Sequence, residues 1–235
     1  MVAAGCPVEF SVPPDFEELE IGATDDRIRD IVQERLAGQH MPDGVAEALL
    51  MSYEHAAHAL HTAGAFYAGT CLGLIDGDPS SASLVLAATP MDGRDSRTVA
   101  SGIVQISTAR HGEKCAAQVW ELPCGPAAVV AQPQLAVFVP GEYAESGTDE
   151  ATFVAQAQAW IPVPRHRTMV TATLSTPSTD HWDHYCEVFT ALLRSLRFGD
   201  DEQTADRGTP AAPPSPSSPP PSPPTGAEVP GNPFG

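Results

Sequence analysis

Lysine is nearly missing from this chain: of twelve basic residues only Lys114 is a lysine, and thirty acidic residues leave a net charge of −18. Phosphate backbones are held by clustered Lys and Arg that release their counterions, so nucleic acid is excluded as an expected partner, and anionic membrane surfaces with it. Long apolar runs are missing as well. No stretch approaches the roughly 18 apolar residues that a membrane-crossing helix needs. Residues 1–7 carry neither the basic start nor the apolar segment of a secretory leader. The expectation is a cytoplasmic protein with no membrane insertion. The competing expectation is an envelope lipoprotein with a mis-set start codon, lipidated at Cys6 of Ala4-Gly5-Cys6.

Cysteine is too sparse for a disulfide framework. The five residues Cys6, Cys71, Cys115, Cys124 and Cys186 are odd in number and irregular in spacing, and they read as reduced thiols. The established catalytic signatures are also wanting: the chain has no GxSxG, no HExxH, no phosphate loop and no dinucleotide fingerprint. No cofactor and no catalytic residue is therefore expected.

What is present is a strong packing signal at the end of the folded part. Residues 169–175 place Val170, Ala172 and Leu174 on one face and mostly hydroxyls on the other, the period of a half-buried strand. After a turn, Trp182, Tyr185, Cys186, Phe189, Leu192, Leu193 and Leu196 recur every three or four residues, which makes one apolar stripe on a helix. Asp180 is the expected N-cap and Gly199 the expected left-handed C-cap, with Arg194 and Arg197 suited to the negative end of the helix dipole.

Earlier in the chain, residues 8–12 alternate and stop at Pro13-Pro14, predicting a first strand. Thr24 caps a helix with the stripe Ile28, Ile31, Val32 and Leu36, ended by Gly38. Asp43 caps a second, over 45–61, ended by Gly64. Strands over 65–75 and 81–88 flank the turn residues 76–79, predicting an antiparallel hairpin. A short helix over 95–108 follows. Strands over 118–121, 127–132 and 135–139 are punctuated by proline, and 152–160 leads to the closing strand. The fold class is α+β, a mainly antiparallel sheet packed by helices. Residues 8–198 are expected to form one domain between a flexible stretch over 1–7 and a tail over 199–235. Eleven of the 24 prolines lie in residues 209–235, and that composition cannot bury enough apolar surface to offset the entropy of ordering.

The order of elements, with Val8-Glu9-Phe10-Ser11-Val12-Pro13, Glu121-Leu122-Pro123-Cys124-Gly125-Pro126 and Trp160-Ile161-Pro162-Val163-Pro164, resembles a group of actinobacterial proteins. These are in turn similar to the Mog1/PsbP/LpqN-like α/β/α sandwich. An arginine-dominated basic set with abundant Ala and Pro suits such a GC-rich source. The resemblance covers residues 8–198 and implies a non-enzymatic binding protein. None of that superfamily's binding residues can be carried over position by position.

Candidate chemistry is thin. His55, His58 and His61 follow Glu54 at steps of three, within reach of one another along a helix. They are the candidates for a metal, against the plainer reading of a solvated polar face. His181, Asp183, His184 and Cys186 crowd the start of the closing helix, but residues two apart on a helix point away from each other. Cys124 sits in a Pro-Gly-Pro turn with nothing basic beside it in sequence. In the tail, Pro219, Pro220 and Pro221 and the terminal Phe234 are candidate contacts for a protein partner, since polyproline segments dock at low entropic cost. The expected function is a non-catalytic adaptor or chaperone-like partner of a secretion or envelope system, the alternative a metal-binding or thiol-dependent enzyme. Deleting residues 208–235 removes no periodic apolar residue, so the thermal midpoint of the truncated protein should equal that of the full chain in calorimetry. A drop of several degrees would show that the tail packs on the body.

Overall fold

The computed structural model describes residues 7–36, 45–92, 95–139, 141 and 147–199. In chain order these form β1 (Val8–Glu9), β2 (Glu17–Glu18), α1 (Asp25–Leu36), α2 (Val45–Thr62), β3 (Ala65–Ile75) and β4 (Asp78–Pro90). There follow α3 (Ser96–His111), β5 (Ala116–Leu122), β6 (Gly125–Val139), β7 (Glu150–Val163), β8 (Thr168–Thr176), α4 (Trp182–Ser195) and β9 (Arg197–Phe198). The α+β expectation holds. Among the described residues one sheet runs in the order β2-β3-β4-β8-β7-β6-β5 with antiparallel neighbours throughout, and β1 pairs with β9 apart from it.

The closing stripe makes the core. Val170, Ala172 and Leu174 of β8 are fully buried, as are Leu84 and Leu86 opposite them on β4 and Ala159 and Ile161 on β7. Tyr185, Phe189, Leu192, Leu193 and Leu196 pack on this face in one cluster. The other face is covered in part by α3, which lies against β5, β6 and β7. Along β6, Ala127 and Val129 join the α4 cluster while the alternate residues Ala128 and Val130 are buried on the far side. The α1–α2 pair has a small cluster of its own, with Ile28 and Ala57 at its centre.

Several expectations change at element ends. The first strand keeps only Val8–Glu9, because its partner β9 offers two residues. Past it, the Ser11 amide donates to Ser195 Oγ at 2.9 Å. The β3–β4 turn is tighter than expected: Asp76 and Gly77 alone make it, both at positive φ (54° and 92°), as a two-residue primed turn requires, while Asp78 and Pro79 join the ladder. The predicted strands over 127–132 and 135–139 are one strand. Pro133 falls where the register to β7 shifts, and a bulge tolerates its missing N–H. The helix predicted over 95–108 is α3, capped by Asp95, whose carboxylate accepts from the Thr98 amide at 2.8 Å, and it runs on to His111.

Both ends of α4 differ from the expected caps. Asp180 lies inside a short 3₁₀ turn, Thr179–His181, and the helix starts after it with no side-chain cap. Leu196 turns extended (ψ 131°), so Gly199 caps nothing; its amide donates to the Pro7 carbonyl at 3.1 Å as the β1–β9 pairing continues. The C-terminal carbonyls are met otherwise: Arg197 Nη1 donates to the carbonyls of Arg194 and Leu196, each at 2.8 Å. The Gly38 and Asp43 expectations lie outside the described residues. Phe189, 3% exposed at the centre of the stripe, sets a test: Phe189→Ala should lower unfolding stability by about 3–5 kcal/mol in urea denaturation. A loss below about 1 kcal/mol would mean that α4 does not pack on the sheet.

Candidate binding site

Strand β8 is shorter than its neighbours, and this shapes one end of the sheet. Its last residues pair as Ser175 with Ser83 of β4 and as Thr176 with Ala155 of β7. Beyond that point β3–β4 and β6–β7 each continue as two-stranded arms, pairing through Ile75–Asp78 on one and through Val139–Glu150 on the other. Both arms therefore project from the same end. They carry large apolar side chains into solvent: Leu72 is 87% exposed and Leu74 71%, Phe138 65% and Phe153 59%, with Val137 beside them. Between residues 66 and 82, and between 132 and 154, there is no Lys or Arg, whereas Asp76, Asp78 and Asp149 stand at or beside the tips of the arms.

Where β8 stops, hydroxyls replace the ladder. Thr176 Oγ1 donates to the Ser81 carbonyl at 2.6 Å, the Ser81 amide donates to Ser178 Oγ at 3.1 Å, and the Ser178 amide donates to Thr176 Oγ1 at 2.9 Å. One residue on, Ser80 Oγ is 2.8 Å from Tyr185 Oη and 3.0 Å from His181 Nδ1. Ser80 and Tyr185 are 3% and 1% exposed. Gly73 stands opposite Ser80 across the hairpin. A Cβ there would meet open space, and a cavity of about 340 Å³ lies over this floor, lined among others by Asp15, Cys71, Gly73, His184 and Tyr185. Burial pushes the Tyr185 hydroxyl and the Cys71 thiol up; Asp15 adds to the shift at Cys71 and the hydrogen bond from Tyr185 opposes it. Both groups stay protonated near neutrality. A serine beside an imidazole resembles a nucleophile with its base, but Ser80 Oγ is shielded and already engaged by two partners. The network fastens the root of the β3–β4 arm to α4.

The sequence reading missed this network, although His181 and Tyr185 stand four apart on the closing segment; Ser80, a hundred residues earlier, gives no local signal. Cys186 does not pair with a histidine. It is half-buried at the flank of the expected stripe, outside the core cluster and beside Glu187, Thr190 and Arg194, and burial, then Asp183, pushes its thiol up. Cys124 lies at the opposite end of the sheet, in the β5–β6 turn. It lines a cavity of about 390 Å³ together with Ser96, Phe198, Arg165, His166 and Arg197. Burial pushes its thiol up, opposed only in part by a backbone hydrogen bond and then by the Arg197 charge, so it is not poised as a thiolate. The electropositive neighbour absent in sequence is present in space.

His58 and His61 are exposed on α2 and border a cavity of about 240 Å³ with Gly22, Ala23, Ile28 and Glu54. His55 stands on the same helix, its side chain outside the described residues. Among the described residues no three His, Cys, Asp or Glu side chains converge as metal ligands. Cys6, Pro219, Pro220, Pro221 and Phe234 lie outside the described residues. No described helix is long and apolar enough to cross a membrane.

No protein-family model matches the chain, and no curated protein matches it. Among solved structures the chain is similar to LpqN, described as involved in cell envelope biogenesis of Mycobacterium tuberculosis, at 12% identity and a TM-score of 0.38, over 83% of this chain and 85% of that one. A likeness of that degree assigns neither activity nor partner. The Ser80 network makes its own prediction: Tyr185→Phe keeps the packing but strips Ser80 of one partner, and should cost about 1–2 kcal/mol in urea denaturation. An unchanged midpoint would show that the bond contributes nothing.

Proposed function

We propose that this protein is a non-catalytic binding module that docks another protein on the end of the sheet where the two arms project. One observation carries the reading. Of the large apolar side chains exposed among the described residues, five stand on these arms, namely Leu72, Leu74, Val137, Phe138 and Phe153, while only Val12 and Ile106 lie elsewhere. Exposed apolar groups gathered at one place mark an interaction surface, where singly scattered ones do not.

Charge selects the occupant. Arms with acids and no Lys or Arg repel a second copy of themselves and attract an apolar surface rimmed by basic residues. That surface supports the expected adaptor role, and the prolines at 219–221 with Phe234 are retained as a second, linear contact. A cytoplasmic or an envelope location suits the module equally.

An amphipathic peptide of leucine and lysine, compared with its leucine–glutamate counterpart, tests the surface by titration calorimetry. The lysine peptide should bind, more weakly as salt rises. Phe138→Ser with Phe153→Ser, and Leu72→Ser with Leu74→Ser, should each weaken it about tenfold or more, the loss of a pair of buried anchors. Ile106→Ser should leave it unchanged. Equal binding of both peptides, or an equal effect of Ile106→Ser, would overturn the reading.

A further inference from the structure

The Cys124 cavity lies at the end of the sheet away from the arms, between the β5–β6 turn and the β7–β8 connection. Its lining divides by chemistry. Pro123, Pro162, Val163 and Phe198 give apolar walls, while Arg165, His166 and Arg197 bring nitrogen groups, and none of the ten lining residues carries a carboxylate. In a chain of thirty acids and twelve bases this is an inversion of the average surface. We propose that this cavity is a binding site for a small organic carboxylate with an apolar body, its carboxylate held by Arg197 and His166.

Three features of the surroundings support the site. Arg197 is anchored on one side, Nη1 being engaged by the carbonyls of Arg194 and Leu196. Its Nε and Nη2 have no hydrogen-bond partner among the described residues, so a held guanidinium presents two adjacent donors, the arrangement that grips a carboxylate in two places. Second, two nearby acids are tied elsewhere, Glu121 to Arg97 at 2.6 Å and Asp92 to Arg167 at 2.9 Å, while Glu9, opposite Arg197 in the β1–β9 ladder, is outside the cavity lining. Third, at about 390 Å³ the cavity falls in the size range of small-molecule sites. The N-terminus of α3 at Ser96 adds nothing, because Asp95 already occupies it. The apolar walls separate this ligand class from inorganic anions, which gain nothing from them.

Cys124 serves as a reporter inside the cavity. In the full-length protein, its alkylation by iodoacetamide at mildly alkaline pH is followed by peptide mass spectrometry with phenylacetate, phenylacetamide or inorganic phosphate present. Phenylacetate should slow the reaction at Cys124 about fivefold or more while leaving Cys71 unchanged, and the neutral amide and phosphate should slow it less than about twofold, since a charge-assisted pair and an apolar fit are both needed. Arg197→Gln should raise the phenylacetate concentration for half-protection about tenfold, the loss of one charge-assisted contact. Because Arg197 also holds the end of α4, His166→Gln is measured beside it and should raise the same concentration about threefold or more. Equal protection by the amide or by phosphate, no protection by phenylacetate, or half-protection unmoved in His166→Gln would each overturn the site.

Discussion

The structure depends on the burial of one helical stripe against the centre of one sheet. Leu84 and Leu86, Val170, Ala172 and Leu174, and Ala157, Ala159 and Ile161 come from three adjacent strands and meet Phe189, Leu192 and Leu193 with almost no exposure. At about 25 cal/mol per Å² of apolar area removed from water, such a contact outweighs any single hydrogen bond in the chain. It also fixes register, since a one-residue slip of β8 would turn its valine, alanine and leucine out and its hydroxyls in. Other contacts are arranged around this one. The α1–α2 pair packs around a small cluster of its own, separate from this one.

A short central strand between longer neighbours gives the sheet two dissimilar ends. At the C-terminal end of β8 the neighbours outrun it as two-stranded arms, and Leu72, Leu74, Phe138 and Phe153 stand exposed on those arms. The gap at its base is bridged by the hydroxyls of Thr176, Ser178 and Ser80. At the other end the connections are tight, and proline dominates them. Pro123 and Pro164 stand just past the ends of the ladders, Pro162 pairs with Met169 in the last part of β7, and the three form part of the cavity wall. Outrunning strands at one end and a proline-lined cavity at the other thus distinguish the two surfaces on which binding is proposed.

Periodicity made the fold legible where burial alone decided the pattern. The β8 alternation and the α4 stripe were read residue by residue, because each needs one dry face and nothing else. Ends were less legible. Asp180 has the right chemistry for a cap, but the chain enters α4 through a 3₁₀ turn, and Arg197 closes the other end from a strand position that no helical spacing announces. Pro133 reads as a strand breaker until the register shows a bulge to hold it. The sites were legible only in part. Cys124 stands out in sequence for its turn, yet Arg197 reaches it from seventy-three residues away, and Ser80 meets Tyr185 and His181 across a wider gap still. Contacts of that range are set by topology, which local pattern does not encode.

The distribution of charge joins these observations. A net charge of −18 repels anions from the surface as a whole, so an anionic ligand gains a foothold only where carboxylates are absent and guanidinium groups converge. The same field draws basic surfaces, and the exposed apolar arms with their acids and no compensating Lys or Arg decide where such a surface is held. The long-range field is common to both ends and is screened within about 8 Å at physiological salt, so it steers an encounter without choosing its site. The choice falls to short-range features: apolar side chains at one end, and at the other a guanidinium fixed by two backbone carbonyls beside a proline wall. Since α4 begins beside the arms and ends at the cavity, its burial against β8 holds both surfaces in place.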